Sequence, residues 1–231
     1  RTKKQIYIMY VGPDIVDDGL VFLVSPGSER SYPGTGTSVT DLMGTGNGVL
    51  LNGVGFNTAD KVWEFDGVDD GIKFQPGINT SVYNAITITG WLYITTGGTW
   101  YRWFSGASGV SFHYPDLAIL ADGDIGFYHG SLTTGWVDTN QSIGLDTWAL
   151  VSCVFKNNGE VKIYINNEIV YSNTFTSGTL PTNFNFMVGN RYDLNGEAIV
   201  GEIGPVSLYS KELTSTEVSQ NYNALKSRFG L

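Results

Sequence analysis

Aromatic side chains in two polar loops are the residues of this chain best suited to contact a ligand. One loop, "GGTWYRWFSG" (97–106), follows a Gly-Gly turn, and the other is "HGSLTTGWVDTN" (129–140). Sugar sites stack an aromatic ring on a pyranose face and place polar groups around it. Packing within the fold or a protein interface is the alternative role for such a cluster. The candidates for glycan contact are Trp100, Tyr101, Arg102, Trp103 and Trp136.

Strand alternation constrains which of these rings can face solvent. In "TWYRWF", Trp100 lies opposite Tyr101, so we expect one of the two to be buried. Trp91 and Trp148 lie within apolar strand patterns, and we interpret them as core residues.

Catalytic chemistry finds little support in the residue types. Only His113 and His129 could act as imidazole bases, and the Gly-x-Ser-x-Gly motif of serine hydrolases is missing, since "SGASG" (105–109) has a different spacing. The single cysteine, Cys153, lies mid-strand among apolar neighbours and is predicted to be a small buried hydrophobic residue. The chain is therefore predicted to be non-catalytic.

Composition and charge restrict the partners. The 231 residues have a formal net charge of -9, and a surface of this sign repels phosphate backbones, which argues against nucleic-acid binding. Only 15% of the residues are charged, while glycine occurs 30 times. No apolar run approaches the ~18 residues of a membrane span, so we expect no membrane insertion.

The elements that must position these loops are short strands. "AITITGWLYI" (85–94) alternates apolar and polar residues, and "WALVSCVF" (148–155) is apolar on both faces. "VKIYINNEIVYS" (161–172) is predicted to be a hairpin whose Asn166-Asn167 pair can adopt the positive φ of a type I′ turn. About a dozen such strands without a composition break predict one all-β domain of two packed antiparallel sheets.

One helix is predicted at the C-terminus. Thr214 and Glu217 form a capping-box pattern. An apolar stripe follows at helical spacing, and Gly230 is a stop signal. We expect this helix to pack onto an edge or corner of the sandwich through Val218, Tyr222, Leu225 and Phe229.

The first eleven residues, "RTKKQIYIMYV", carry the only basic cluster and precede the sandwich pattern. They are either the first strand of the domain or an arm that docks on a partner protein by strand addition. The docking candidates are Lys3, Lys4, Ile6, Tyr7, Ile8 and Tyr10.

Five segments, in order, resemble the laminin-G-like domains, which are relatives of the pentraxins. They are "EFDGVDDGIKF" (64–74), "AITITGWLY", "DTWALVSCVF" (146–155), "VKIYINNEIV" and "GEIGPVSLYSKELTSTEV" (201–218). The resemblance spans about residues 17–229 and implies that residues 12–231 form a concanavalin A-like jelly-roll sandwich. Glucanases of this fold carry Glu-x-Asp-x-x-Glu on one strand face, and that spacing does not occur here.

The resemblance also implies that calcium could be a cofactor. The family often holds this ion in loops at a rim of the sandwich, and here two such loops contain suitable oxygen ligands. One set is Asp41 and Asn47 in "DLMGTGNG" (41–48), with Asp69 and Asp70 approaching them. A pentraxin-like rim site would use Asp116, Asn190, Asp193 and Asn195 instead. As an alternative, all of these residues are turn formers that bond their own backbone.

Two further stretches, 31–53 and 220–230, resemble the version of this domain found in structural proteins of tailed phages. That likeness implies a non-catalytic virion protein, a capsid decoration or tail-fibre component that displays a lectin-like jelly roll. Its partners would be other virion subunits and host-surface polysaccharide, it could be a homo-oligomer, and it would lie on the virion surface. The alternatives are a secreted or cell-surface carbohydrate-binding module and, less favoured, a glycan-cleaving enzyme.

Overall fold

The computed structural model describes residues 14–108, 111–130, 135–175 and 179–231. The N-terminal segment 1–11, with its six docking candidates, lies outside these residues. In these described ranges, sixteen strands precede one α-helix, in agreement with the predicted all-β sandwich. The strands are β1 (Leu20–Val24), β2 (Ser38–Val39), β3 (Asn47–Leu51), β4 (Gly55–Asn57), β5 (Val62–Asp66), β6 (Gly71–Asn79), β7 (Ala85–Thr96), β8 (Tyr101–Ser108), β9 (Ser111–Ile119), β10 (Asp124–Tyr128), β11 (Val137–Ser142), β12 (Trp148–Lys156), β13 (Glu160–Ile165), β14 (Glu168–Thr174), β15 (Asn183–Val188) and β16 (Val200–Tyr209).

The strands form two antiparallel sheets. Sheet A has the order β14-β13-β12-β7-β16-β5-β4, with β1 also paired to β16. Sheet B has the order β11-β10-β9-β8-β15-β6-β3-β2. Half of the fourteen described strand pairings join consecutive strands, and the other half join strands that are not consecutive in the chain, such as β12 with β7 and β8 with β15.

The main core lies between the sheets and is built from the inward half of each alternating strand. On β7 the aliphatic side chains Ile86, Ile88, Leu92 and Ile94 point inward and are fully buried. Across from them, Phe186 stacks on Phe74 and on Phe104 with ring centroids 4.9 Å apart in both pairs. Cys153 is also fully buried, and burial raises its pKa, so the predicted apolar role is confirmed.

The helix α1 (Ser215–Leu225) continues into a 3-10 turn, Lys226–Phe229, which ends at Gly230 with φ 76°. The predicted capping box is confirmed, because Thr214 and Glu217 bond each other's backbone N–H. The helix covers one half of the outer face of sheet A and not an edge or corner, with Val218 against Val154, Tyr164 and Tyr209. Trp91 is buried there under Phe229, whereas Trp148 is only half-buried, contrary to the prediction of a core residue.

The predicted hairpin is β13–β14, closed by Asn166 and Asn167. Only Asn166 has a positive φ, 58°, so the turn differs from type I′, which needs positive φ at both residues. Among the described residues, no helix is long and apolar enough to cross a bilayer.

Candidate glycan-binding site

Trp100 lies where the chain crosses from β7 in sheet A to β8 in sheet B. Its φ of 66° is a left-handed conformation, and its N–H donates to the carbonyl of Gly98 at 3.0 Å. This backbone region costs a bulky residue about 1–3 kcal/mol. The indole lies over Gly126 on the outer face of sheet B, where a Cβ would be 2.6 Å from its ring. Glycine at that position of β10 therefore leaves room for Trp100.

A second indole holds Trp100 in place. Trp136 stacks on it with centroids 4.4 Å apart and planes 24° from parallel, and both rings are half-buried. Tyr128 flanks Trp136 at 5.8 Å, and the guanidinium carbon of Arg102 lies 4.9 Å from the Trp136 ring. The structure thus brings together Trp100, Trp136 and Arg102, as predicted, and adds Tyr128.

Arg102 forms the layer beneath the rings and is only 2% exposed. Its Nε donates to the Asp116 carboxylate at 2.7 Å, and its Nη1 pairs with Glu197. Burial lowers the pKa of the guanidinium, while the charge of Asp116 opposes that shift. Arg102 is therefore a support for Trp136 and not a surface contact for a ligand.

The exposed part of Trp100 borders a depression of about 390 Å³. Around it are Thr99, Asp122 and Asp138, with Gly98, Leu120 and Ala121 completing the wall. One oxygen of Asp122 and one of Asp138 accept backbone N–H groups at 3.2 and 2.8 Å, which orients the carboxylates. An aromatic wall with carboxylate and hydroxyl groups beside it can stack on a sugar ring and bond its hydroxyls.

Three of these lining residues were not predicted from the sequence. Thr99 stands beside the predicted aromatics, Asp138 lies two residues after Trp136, and Asp122 belongs to the turn between β9 and β10. The Asp122-Gly123 pair is a hairpin-turn signal, and this pattern could have identified Asp122. The pairing of β10 with β11 places Asp138 opposite Gly126, below Trp100.

Two of the predicted glycan contacts lie elsewhere. Trp103 is fully buried between the sheets and its ring is closed to a ligand, so this assignment is corrected. Tyr101 packs against the same core but is only half-buried, as is Trp100, so the expected full burial of one residue of this pair is not observed.

Asp41 organises its own loop. It is 2% exposed, and its carboxylate accepts N–H groups from Leu23, Met43, Thr45 and Gly46 at 2.7 to 3.3 Å. Asn47 accepts the N–H of Asp41 in turn. Because backbone donors surround the carboxylate, the turn-former alternative accounts for the contacts of Asp41 and Asn47, and calcium binding at this loop stays a prediction.

Asp69 and Asp70 do not approach that loop. Asn47 pairs with Gln75, whereas Leu51 pairs with Gly71, so Asp70 lies at the opposite end of the β3–β6 pair. Five strand residues separate the ends by about 16 Å. The predicted set of four ligands is therefore split.

Most residues of the second predicted set bond to neighbouring protein groups. Asp116 is used by Arg102, and Asp193 pairs with Arg191 at 3.0 Å. Asn190 is buried and donates to the backbone carbonyl of Asp70 at 3.0 Å, while Asn195 is exposed. In this region the guanidinium of Arg102 is the cation that pairs with the carboxylates of Asp116 and Glu197.

A different acidic group does form. Asp66, Asp69 and Asp70 have carboxylate oxygens within 4.8 Å of one another at the turn between β5 and β6. Asp66 was not among the predicted ligands. Carboxylates suit calcium, which wants six to eight oxygens, and calcium binding at this cluster stays a prediction.

Asp70→Asn should raise the midpoint of thermal unfolding near neutral pH. Burial, and then the charges of Asp66 and Asp69, raise the pKa of Asp70, so the folded state disfavours its ionised form. The wild type therefore keeps this part of its stability below the pKa that Asp70 has in the unfolded chain. It loses that stability as the pH rises through the raised pKa of Asp70 in the folded state. The advantage of Asp70→Asn should therefore shrink in acid, which differential scanning calorimetry at several pH values measures.

Asp69→Asn is the matched control, because Asp69 lies in the same cluster but is exposed. A variant Asp70→Asn that melts below the wild type at neutral pH contradicts the prediction. Repeating the thermal melts with added calcium tests for a metal site. An ion bound at this cluster should raise the melting temperature of the wild type more than it raises that of the Asp70→Asn variant.

Comparison with known proteins places this geometry in a family. The model of the concanavalin A-like lectin/glucanases superfamily matches residues 66–219, two thirds of the chain. No curated protein matches the sequence.

Three solved structures illustrate the likeness, which at these identities concerns the fold alone. Trypanosoma rangeli sialidase in complex with sialic acid superposes with a TM-score of 0.70 and 16% identity, over 91% of this chain and 33% of the sialidase. The binding domain of botulinum neurotoxin DC in complex with SialylT superposes with a TM-score of 0.69 and 14% identity, over 90% of this chain and 52% of the neurotoxin chain. The third is domain 4 of AbnA, a GH43 extracellular arabinanase from Geobacillus stearothermophilus, in complex with arabinotriose. It superposes with a TM-score of 0.65 and 19% identity, over 88% of this chain and 98% of the arabinanase domain.

This chain spans about a third of the sialidase but almost all of the arabinanase domain. The family match and the two-sheet sandwich agree with each other. The chain belongs to the concanavalin A-like lectin/glucanase superfamily.

Proposed function

We propose that this domain binds an uncharged oligosaccharide in the depression beside Trp100. The observation that carries the proposal is the half-exposed indole of Trp100, held at a φ of 66° between Trp136 and Gly126. A strained backbone that presents an aromatic ring next to oriented polar groups is a feature of ligand sites.

The charge of the site selects among sugars. Asp122 and Asp138 line the depression, and no described cation pairs with either carboxylate. An acidic sugar would be repelled there and by the net charge of -9. Hydroxyl groups of a neutral sugar can instead donate to these carboxylates.

Trp100→Ala should weaken binding of a neutral oligosaccharide about tenfold or more, because stacking on an aromatic ring is worth on the order of 1–2 kcal/mol. Isothermal titration with arabinotriose, and a glycan array for other neutral sugars, measure the loss. Trp148→Ala is the matched control, since Trp148 is a half-buried indole on the other sheet.

A Trp100→Ala protein that binds as tightly as the wild type would sink this proposal, as would a preference for sialylated sugars. Asp122→Asn and Asp138→Asn should each reduce affinity a few-fold while leaving the ring in place. If binding falls only with Trp148→Ala, the site lies on the opposite sheet.

Two further parts of the predicted function, the non-catalytic role and the display on a phage particle, stay predictions. The non-catalytic role is tested by looking for hydrolysis of the bound oligosaccharide. Display on a tailed-phage particle, with its surface location, virion partners and oligomeric state, is supported by the resemblance of 31–53 and 220–230. Copurification with capsid or tail subunits, and its loss on deletion of residues 1–11, tests that placement.

A further inference from the structure

The outer face of sheet A has an open half beside the helix. There, four side chains form a row across neighbouring strands, hereafter the cross-strand row. Trp148 pairs with Tyr93, Tyr93 with Glu202, and Glu202 with Glu64. All four alternate with inward residues such as Ala149, Leu92, Ile203 and Phe65, which lie in the core. The row therefore points away from the core.

Two aromatic rings form one half of the row. Trp148 and Tyr93 have centroids 5.7 Å apart, and both are half-buried. Phe229 of the 3-10 turn packs against Trp148 at 4.4 Å and stacks on Trp91. Because Phe229 supports it from the helix side, the Trp148 ring is fixed while part of its surface stays open.

Two carboxylates form the other half. Glu202 and Glu64 lie directly opposite each other, and neither forms an ion pair with another described residue. Like charges in this arrangement destabilise a sheet. Burial and the charges of Glu64 and Asp60 raise the pKa of Glu202, against a hydrogen bond from Asn57. The guanidinium of Arg228 donates to the backbone carbonyls of Asp60 and Lys61.

We propose that the cross-strand row binds an oligosaccharide that carries protonated amino groups, of the glucosamine type. One sugar ring lies on Trp148 and Tyr93, and an ammonium group of the next lies between Glu202 and Glu64. Trp148 and Glu202 are two strands apart, about 10 Å, so the ligand is an oligomer and not a single sugar.

The chemistry of the row selects this class. An aromatic face attracts both the apolar side of a pyranose and a nearby cation. The paired carboxylates favour an ammonium group over a neutral hydroxyl, because the cation relieves their mutual repulsion. This site is on the sheet opposite Trp100 and stands independently of the function proposed above.

The test is titration of a glucosamine oligomer and of its fully N-acetylated counterpart at about pH 6, where the amino groups are charged. The wild type should bind the free-amino oligomer, and acetylation should weaken that binding at least tenfold. Trp148→Ala and Glu202→Gln should each lower affinity about tenfold, whereas Glu29→Gln, at an exposed glutamate outside both sites, should leave it unchanged. Glu202→Gln preserves shape, so it keeps the test valid if Trp148→Ala lowers the melting temperature.

Several results overturn the inference. Equal affinity for acetylated and free-amino oligomers, or no change with Glu202→Gln, removes the role of the carboxylates. Tetralysine that binds as tightly through the same residues identifies a basic peptide as the ligand class. If only Trp100→Ala abolishes amino-sugar binding, the site lies on the other sheet. A folded wild type that does not bind the oligomer refutes the inference.

Discussion

Asp116→Ala is expected to lower the free energy of unfolding by about 3–5 kcal/mol, because it leaves the guanidinium of Arg102 buried without its partner. The pair is enclosed, with Arg102 2% and Asp116 0% exposed, and the second oxygen of Asp116 accepts the N–H of Gly106 at 3.1 Å. Glu197 remains beside Arg102 but is 29% exposed and only partly compensates the charge. Urea titration followed by tryptophan fluorescence measures the loss.

The same variant should disturb the glycan site through Trp136. Arg102 lies 4.9 Å from that ring, so a displaced guanidinium removes the support of the Trp100–Trp136 stack. The near-ultraviolet circular dichroism of the stacked indoles should decrease before the protein unfolds.

Two comparisons separate this effect from a general loss of charge. Asp18 is 79% exposed in its pair with Lys211, and Asp18→Ala should change stability by less than about 1 kcal/mol. The double variant Arg102→Met/Asp116→Leu should regain part of the loss, since apolar residues of similar volume replace both charges. If Asp116→Ala unfolds at the same urea concentration as Asp18→Ala, the buried pair is not a stabilising feature.

Asp41→Ala is expected to cost about 3 kcal/mol, roughly the value of two hydrogen bonds to a charged acceptor. Four backbone N–H groups point at this carboxylate, and one of them, from Leu23, belongs to β1. Water can reach some of these groups after the substitution, so the four bonds are not lost in full. Chemical denaturation at constant pH measures the difference.

Glu29→Ala is the control for Asp41→Ala, because Glu29 is exposed and makes no side-chain bond within the described residues. A change within about 0.5 kcal/mol is expected there. A chelator should leave the wild-type transition at the same denaturant concentration if backbone donors alone hold this loop. If the chelator instead lowers the unfolding midpoint of the wild type strongly but leaves that of Asp41→Ala unchanged, Asp41 is a calcium ligand.

Local patterns in the sequence predicted the elements well. The capping box at Thr214 and Glu217 depends on residues three apart in the chain, and it forms as expected. The alternation of β7 correctly separates Ile86 and Ile88 from Thr87 and Trp91. Such patterns succeed because the contacts that produce them lie within one strand or one helical turn.

The aromatic loop shows where the same reasoning stops. Period two places Tyr101 and Trp103 on one face and Arg102 on the other, but only the assembled sheets decide which face is inside. A bulge between Arg102 and Phe104 then turns Phe104 inward as well, next to Trp103. The burial of Trp103 and of Arg102 thus depends on the partner strand.

The predicted grouping of the calcium-ligand candidates differs from the structure for a related reason. Asp41 and Asp70 were placed together by likeness to a family, but the register of β3 on β6 sets them at opposite ends. Hydrogen-bond donors from its own loop satisfy Asp41, while Asp66, Asp69 and Asp70 cluster through a single tight turn.

The sequence by itself determined the fold class, the strand periodicity, the capped C-terminal helix and the apolar role of Cys153, because each depends on composition or on near neighbours. Tertiary structure alone decided that Trp100, Asp122 and Asp138 border one depression, and that Trp148 and Glu202 share a row. The depression is assembled by the hairpins β8–β9, β9–β10 and β10–β11, whereas the row needs the pairing of β12 with β7 and of β7 with β16, which lie far apart in the chain. No local pattern records how these strands pair, because the pairing depends on contacts between residues that are separated in sequence.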